Sequence, residues 1–407
     1  MRLLAAVILL WTMPAASALN PGVALGVDLG TSGVRVAVVE KQTNGGVSVL
    51  EEASAAWSDA EGRRPDAWLS KLQETLQSCT ELARVERVSV SGTSGSCLLV
   101  DAATGKVTRG PLMYNDAVEP SPLIDAAAPS PLIDAAAPPG HCTRSATSAL
   151  AKLLHWARER KLENEVICHQ ADYVASALAG GPPVLVSDWH NALKLGFDID
   201  ALEWPGWILE RCLNADERNT LTRLRVTRPG DVCERVVSAE ASEAWGLPAG
   251  VEVVGGTTDS IAAFVACATD IEKGALNVAA GDAVTSLGST TALKLVSKTR
   301  VDDSSVGVYS HRLENNWLVG GASNAGCRVL REFAFTNDEL ENLSMGLDAA
   351  ATNDKGIYPL VAPGERFPYN DASKEPVLPP RDGDRAAVLA DLLVGIADVE
   401  RLGYLAL

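Results

Sequence analysis

Residues 23–39 read VALGVDLGTSGVRVAVV, in which two valine-rich runs surround the turn GTSG at 30–33 and Asp28 stands near the end of the first run. Apolar runs joined by a short turn of glycine and hydroxyl residues predict a β-hairpin. Small residues let backbone N–H groups approach an anion closely, and a nearby carboxylate can hold a divalent cation directly or through water. The segment is a candidate phosphate clamp, although most turns of this composition are only tight hairpins.

Three further turns of glycine and hydroxyl residues follow along the chain. GTSG recurs at 92–95 after a short predicted strand, GGTTD at 255–259 leads into a predicted helix from Ser260, and SLGSTT occupies 286–291 between two apolar runs. Asp259 alone could be an ordinary helix N-cap, because Asp is common there. Taken together, two acids and several such turns fit phosphoryl transfer to an alcohol, which needs a metal-bearing carboxylate, amides around the γ-phosphate and a base.

Composition limits the possible classes of protein. At 407 residues the chain is too long for one ordinary core, and we expect two or three domains. Its 35 basic against 52 acidic side chains give a net charge of −17, which disfavours a nucleic-acid partner. Any phosphate ligand must therefore be bound by groups close to it, namely backbone amides, a metal ion and a few cationic side chains. This requirement favours a nucleotide complexed with a metal ion.

Several other classes of site have no support in the sequence. The eight cysteines have no paired spacing and the five histidines form no metal pattern, so free thiols are expected. There is no GxxxxGK[ST], no GxGxxG after the first strand, no HExxH and no GxSxG. Walker-type NTPases, dinucleotide-binding enzymes, zinc proteases and serine hydrolases are thereby disfavoured.

The N-terminus has the form of a secretory leader over residues 1–20. Met1 and Arg2 precede an apolar run, and Ala-Ser-Ala at 16–18 resembles a cleavage site. The run is too short to span a bilayer stably, so no membrane anchor is expected. We expect either a plastid protein that travels by the secretory route or, if the start is mis-assigned, a cytosolic one. The tandem repeat SPLIDAAAP at 121–138 is interpreted as a surface-loop duplication.

Four segments together resemble the FGGY carbohydrate kinases. They are DLGTSGVR (28–35), SGTSGSCLLVDAATGKV…PLMYNDA (91–117), GGTTDSIAAFVA (255–266) and SLGSTTALKL (286–295). The GTSG at 92–95 and the YND at 114–116 resemble the plant and cyanobacterial branch of D-ribulose kinases, also described as xylulokinase-like proteins. The resemblance covers residues 23–407 in order.

The resemblance implies an α/β protein of two actin-like, ribonuclease-H-like domains with a cleft between them, at 21–255 and 256–407. It implies ATP and Mg²⁺ as cofactors and a ketopentose as substrate. Its implied catalytic residues are Asp259, the base, and Asp28, the metal ligand. The implied binding residues are Gly30, Thr31, Ser32, Arg35, Gly288, Ser289 and Thr290 for the nucleotide phosphates, and Ser94, Asn115, Asp116 and Asp259 for the sugar.

The end of the chain departs from the family pattern. Related kinases continue past a helix like 385–402 into a GGGxxN turn that holds adenosine, whereas this sequence stops at Leu407, so the second domain is expected to be C-terminally truncated. D-ribulose phosphorylation is the leading hypothesis. The alternatives are a D-xylulose kinase, a non-catalytic sugar-binding remnant and, less favoured by the 91–117 block, an actin-like ATPase.

Overall fold

The computed structural model describes residues 22–118, 136–138, 140–181, 185–303, 305–348, 350–369 and 371–407. The leader at 1–20 and most of the repeat at 121–138 lie outside these residues. Among the helices that it does describe, none combines the length and the apolar character needed to cross a bilayer. Each of the eight cysteines, all within the described ranges, is a free thiol.

The strands are numbered in chain order: β1 (Gly22–Gly30), β2 (Gly33–Lys41), β3 (Val47–Ala56), β4 (Arg87–Gly92), β5 (Cys97–Asp101), β6 (Val107–Leu112), β7 (Glu165–His169), β8 (Val186–Asp188), β9 (Arg225–Thr227), β10 (Val232–Val236), β11 (Glu252–Val254), β12 (Thr257–Thr258), β13 (Thr269–Asp270), β14 (Ala275–Leu276), β15 (Ala283–Leu287), β16 (Thr291–Ser297), β17 (Tyr309–Leu313) and β18 (Asn316–Ser323).

The α-helices are α1 (Pro65–Gln77), α2 (Ala149–Glu159), α3 (Gln170–Ala179), α4 (Trp189–Ala192), α5 (Ala215–Thr222), α6 (Ala239–Trp245), α7 (Asp259–Ala268), α8 (Arg328–Glu332), α9 (Asn337–Ser344) and α10 (Arg385–Ala406). Short 3-10 turns and one π-helical turn, Trp207–Cys212, complete the helical structure of the described residues.

The first compact unit is built on a sheet of order β10-β11-β4-β1-β2-β3, with β12 also paired to β4. β1 and β2 form the predicted hairpin in antiparallel register, whereas β4 runs parallel to β1, β11 and β12. β1 is buried along nearly its whole length, as is typical of a strand covered on both faces, which explains its near-continuous apolar sequence. The parallel strands therefore end at one common edge.

Helices cover this sheet through apolar stripes at helical spacing. On α1, Trp68, Leu72 and Leu76 recur every four residues and are completely buried. Pro65 at the first position starts this helix without losing a hydrogen bond, because the first amides of a helix have no intrahelical partner. α3 begins at the end of β7 and packs on β4 and β7, which places its N-terminus beside the chain that leaves β4.

The second compact unit contains an antiparallel sheet of order β15-β16-β18-β17 and the long helix α10. Leu293, Val319 and Phe367 form part of its core. Gly403 allows α10 to approach closely, since a Cβ there would lie 2.3 Å from Leu293 Cδ1 and 2.8 Å from Phe367 Cε1. Leu389, Leu392 and Ile396 of the same helix join a second cluster with α8.

The two units divide after Val278, and the second also takes in residues 140 and 141. The sequence pattern placed the second domain from residue 256. Residues 256–278 lie with the first unit because β12 adds to its sheet beside β4, in register Thr257 with Ser91. α7, which follows β12, also packs on β1 and β4.

Candidate active site

Three loops leave the carboxyl edge of the first unit's sheet side by side. Asp28 on β1 pairs in register with Ser91 on β4, and Ser91 in turn pairs with Thr257 on β12. Neighbouring strands are about 4.8 Å apart, so Asp28 and Thr257 lie about 10 Å apart across β4. The hairpin turn 30–33, the GTSG loop 92–95 and Asp259 are therefore brought to one edge, the usual place for ligands in sheets of this type.

Asp28 is a buried carboxylate with two partners. Its Oδ1 accepts a hydrogen bond from Ser91 Oγ at 2.9 Å, and its Oδ2 faces Arg35 Nη1 at 3.2 Å. Burial raises the pKa of the Asp28 carboxyl, while the hydrogen bond from Ser91 and the Arg35 guanidinium lower it. The side chain is held in one position and has the chemistry needed to bind a cation.

Two hydrogen bonds from Trp57 hold the turn that follows Asp28. Trp57 Nε1 donates to the Thr31 carbonyl at 3.0 Å, and the Trp57 amide donates to the Ser32 carbonyl at 3.2 Å. Gly33 is required by close approach, because a Cβ there would lie 2.4 Å from the Ala55 carbonyl oxygen. Thr31 and Ser32 themselves are exposed, so their hydroxyls and amides face solvent.

The GTSG loop at 92–95 is held by side chains from three helical segments. Thr93 donates to Gln170 Oε1 through both its amide (3.0 Å) and its hydroxyl (2.9 Å). Lys194 Nζ donates to the Ser94 carbonyl at 3.1 Å, and Lys152 Nζ donates to the Gly95 carbonyl at 2.8 Å. The loop conformation is thus fixed by its backbone and by Thr93, and Ser94 Oγ takes no part in this bracing.

Lys152 is a fully buried cation on α2. It donates to the carbonyls of Gly95 and Met113, at 2.8 and 2.6 Å. Burial lowers the pKa of the Lys152 ammonium to about 8, against an ordinary value of 10.5. The side chain joins the GTSG loop to the segment that carries the predicted sugar-binding residues Asn115 and Asp116.

Asp116 in that segment is already paired. Its Oδ2 accepts from Arg63 Nη2 at 2.5 Å and from the Met113 amide at 2.7 Å. Burial alone would raise the pKa of Asp116, but these hydrogen bonds outweigh it and the pKa is lowered. Asn115 is exposed. Asp116 therefore has a fixed position and a constant charge, whereas Asn115 faces outward.

Asp259 is the first residue of α7 and is half-buried. Its Oδ1 accepts from the amide of Ser260 at 2.7 Å. Gly256 just upstream allows the strand to lie against β4, because a Cβ there would be 2.1 Å from the Val90 carbonyl oxygen. Thr257 Oγ1 lies 2.8 Å from His190 Nδ1. This contact connects the segment that precedes Asp259 to α4.

The other predicted phosphate residues lie in the second unit. Gly288, Ser289 and Thr290 form the turn between β15 and β16. The Gly288 carbonyl accepts from the Cys327 amide at 2.8 Å, and Ser289 Oγ accepts from Arg331 Nη2 at 2.7 Å. The turn therefore presents exposed small residues next to a guanidinium, a combination suited to an anion.

Within the described ranges no group of three or more His, Cys, Asp or Glu side chains is arranged to hold a metal ion. Those ranges therefore contain no metal site made of three or more such side chains. Mg²⁺ that arrives with nucleotide needs only one or two carboxylates, because phosphate oxygens and waters complete its shell. The single buried carboxylate of Asp28, beside the exposed turn 30–33, fits that requirement.

Comparison with known proteins decides the fold. The chain is 23% identical to the xylulose kinase of Escherichia coli K12 over 385 residues, which is 85% of this chain and 70% of that protein. It matches the structure of a "xyloylose kinase" from Brucella ovis with a TM-score of 0.72 and 21% identity, over 94% of this chain and 78% of the other. The fold is that of the FGGY carbohydrate kinases.

A second structure extends the likeness beyond pentulose kinases. A Plasmodium falciparum glycerol kinase, solved with ADP, gives a TM-score of 0.68 at 14% identity, again over 94% of this chain and 78% of that one. A scan of the chain against protein-family models finds no match. The relationship to the Escherichia coli enzyme supports a carbohydrate kinase, as the sequence resemblance implies. Membership of the D-ribulose kinase branch stays a prediction.

Several residues at this edge of the FGGY fold were missed by sequence reasoning. The spacing of apolar residues over 148–161 predicts an amphipathic helix, and Lys152 among its leucines was the available signal. Lys194, Gln170 and Arg63 carry no such signal, because they reach the GTSG loop or Asp116 only through tertiary packing.

Proposed function

We propose that this protein transfers the γ-phosphoryl group of ATP to a hydroxyl of a ketopentose. The observation that carries the proposal is the strand register that brings Asp28, the GTSG loop and Asp259 to one edge of a single sheet. Kinship with xylulose kinase supports a sugar acceptor and ATP as donor. The net charge of −17 is consistent with local rather than global attraction of the nucleotide.

Asp28 and its turn form the first phosphate site in this proposal. Asp28 holds Mg²⁺, directly or through water, and the exposed amides and hydroxyls of Thr31 and Ser32 contact phosphate oxygens. Arg35, whose Nη2 also lies 3.4 Å from Ser32 Oγ, adds a positive charge. Mg²⁺, when bound, neutralises charge that develops on the phosphates. Gly288, Ser289 and Thr290 in the second unit are the other residues proposed to contact phosphate.

Asp259 is the base. As the sugar hydroxyl oxygen forms a bond to the γ-phosphorus, the bond from that phosphorus to the β-phosphate oxygen breaks and the hydroxyl proton passes to the Asp259 carboxylate. Ser260 fixes one carboxylate oxygen through its amide, which leaves the orientation of the group defined. Ser94, Asn115 and Asp116 contact other hydroxyls of the sugar.

D-ribulose is the first candidate acceptor, since the GTSG at 92–95 and the YND at 114–116 resemble the ribulose kinase branch. D-xylulose is the second, because the Escherichia coli relative is a xylulose kinase. The two sugars differ only in configuration at C3. The ratio of kcat/KM for the two substrates therefore measures how strongly the protein discriminates the configuration at C3.

Replacing Asp259 by Asn tests the proposed base. The variant keeps the size of the side chain and removes the proton acceptor, so we expect turnover to fall at least about 100-fold with ketopentose affinity nearly unchanged. Turnover is measured by ADP release and affinity by calorimetry.

The matched control is Asp338→Asn, which also changes an acid in the first turn of a helix, but an exposed one in α9. It should retain full activity. Near-normal turnover in Asp259→Asn would contradict the assignment of the base.

A further inference from the structure

Among the described residues, three buried polar atoms without a hydrogen-bond partner lie in the GTSG loop, α3 and α4. They are Ser94 Oγ, Gln170 Nε2 and Asn191 Oδ1. Gln170 and Asn191 are each only 1% exposed. Buried polar side-chain atoms in native proteins nearly always have partners, so a group of unpartnered atoms needs an explanation such as a missing ligand.

The orientation of Gln170 is fixed by the loop. Its Oε1 accepts from the Thr93 amide, which can only donate, so the side-chain oxygen must face Thr93. Nε2, with two N–H donors, then points away from this contact. A Cβ on Gly92 would lie 3.1 Å from the Ala171 amide nitrogen, so the start of α3 is in direct contact with the loop.

The side-chain amide of Asn191 is the reverse case, because its nitrogen has a partner and its oxygen has none. Its Nδ2 donates to Asp188 Oδ2 at 2.7 Å, which leaves Oδ1 as the unpartnered acceptor. Asn191 belongs to the short segment 190–194, which contacts two different parts of the proposed site. His190 contacts Thr257, two residues before Asp259, and Lys194 contacts the Ser94 carbonyl.

The unpartnered atoms form a complementary set. Gln170 offers two donors, Asn191 offers an acceptor and Ser94 offers a hydroxyl that can do either. A sugar hydroxyl both donates and accepts, and a ketone only accepts, so this neutral set suits a polyol better than an anion. We infer that Gln170 and Asn191, with Ser94, contact the hydroxyl and carbonyl groups of the sugar. The inference rests on the proposed function and names two residues that no sequence motif marks.

Gln170→Glu is the sharpest test. Glutamate keeps an oxygen for Thr93, replaces the two N–H donors by a second acceptor oxygen and adds a negative charge, which Ser94→Ala below does not. We expect the Kd for D-ribulose or D-xylulose, measured by calorimetry without nucleotide, to rise about tenfold or more. The matched control is Gln73→Glu, because Gln73 Nε2 already donates to the Ala244 carbonyl away from the loop. It should leave the Kd unchanged.

Ser94→Ala is the second variant, because it deletes an atom that has no partner and should leave the unfolding temperature unchanged while it weakens sugar binding. Affinities for deoxy pentuloses separate contact from structure. An analogue that lacks the hydroxyl bound by Gln170 should show no further loss in Gln170→Glu, whereas a purely structural defect lowers all affinities by the same factor.

The outcomes separate the two proposals. Unchanged ketopentose affinity in both Gln170→Glu and Ser94→Ala overturns this inference and leaves the kinase proposal standing. If the unmodified chain binds neither ketopentose, both are overturned.

Discussion

At the scale of single residues, the candidate site depends on polar groups that are buried and held in place. Asp28 is fixed by Ser91 and Arg35, and Thr93 by Gln170. Lys152 is the extreme case, since a fully buried ammonium supports two loop carbonyls. Burial disfavours the charged form of this ammonium group, and this lowers its pKa.

Lys152 gives a pH-dependent prediction. Between its folded pKa of about 8 and the ordinary value of 10.5, the unfolded chain holds a proton that the folded chain releases. Raising the pH therefore favours the folded state. Relative to Lys152→Met, the wild-type free energy of unfolding should rise by about 2 kcal/mol between pH 8 and pH 10.

Denaturant titrations at a series of pH values measure this difference. The exposed substitution Lys106→Met is the control, and its difference from wild type should stay constant across the range. A pH-independent difference for Lys152→Met would contradict the buried, deprotonating lysine.

At the scale of elements, the sequence predicts the hairpin, the GTSG turns and the helix at Asp259, because these depend on local turn chemistry and periodicity. It predicts ends less well. The apolar spacing from Pro65 to about Leu82 predicts one helix, whereas α1 stops at Gln77 and a 3-10 turn begins at Leu82. Gly320 and Gly321 lie within β18, where a Cβ would be 2.4 Å from the Leu293 carbonyl oxygen at the first and 2.2 Å from Phe367 Cδ2 at the second.

The proposed sugar contacts are harder to predict from the sequence. Gln170 and Asn191 stand far from the GTSG loop in sequence, and only the packing of α3 and α4 brings them to it. Asp28 and Asp259 are recognisable because each follows or precedes a glycine turn. Local pattern therefore identifies the acids, and tertiary contacts identify their surroundings.

The packing of α10 gives a prediction at this scale. Gly403→Val places methyl groups where Leu293 and Phe367 already lie, so we expect the free energy of unfolding of the second unit to fall by about 1–3 kcal/mol or more. Ala397→Val, exposed on the same helix, carries only the propensity cost of valine, below about 1 kcal/mol. Urea unfolding followed by circular dichroism compares the two, and equal losses would contradict the close approach at Gly403.

At the scale of the whole molecule, two compact units each carry part of the proposed chemistry. Asp28, Asp259 and the proposed polyol contacts lie in the first unit, and the turn 288–290 lies in the second. The chain matches 70% of the length of its Escherichia coli relative and 78% of the Brucella ovis structure. Phosphoryl transfer, rather than sugar binding alone, is the property that distinguishes a kinase from a non-catalytic sugar-binding protein.

Phosphorus NMR of the full chain with MgATP and either ketopentose measures that property directly. We expect a sugar phosphate monoester and ADP to appear in equal amounts, only when D-ribulose or D-xylulose is present. Release of inorganic phosphate that is indifferent to sugar, or binding of ketopentose without any phosphate ester, would contradict the assignment of this protein as a ketopentose kinase.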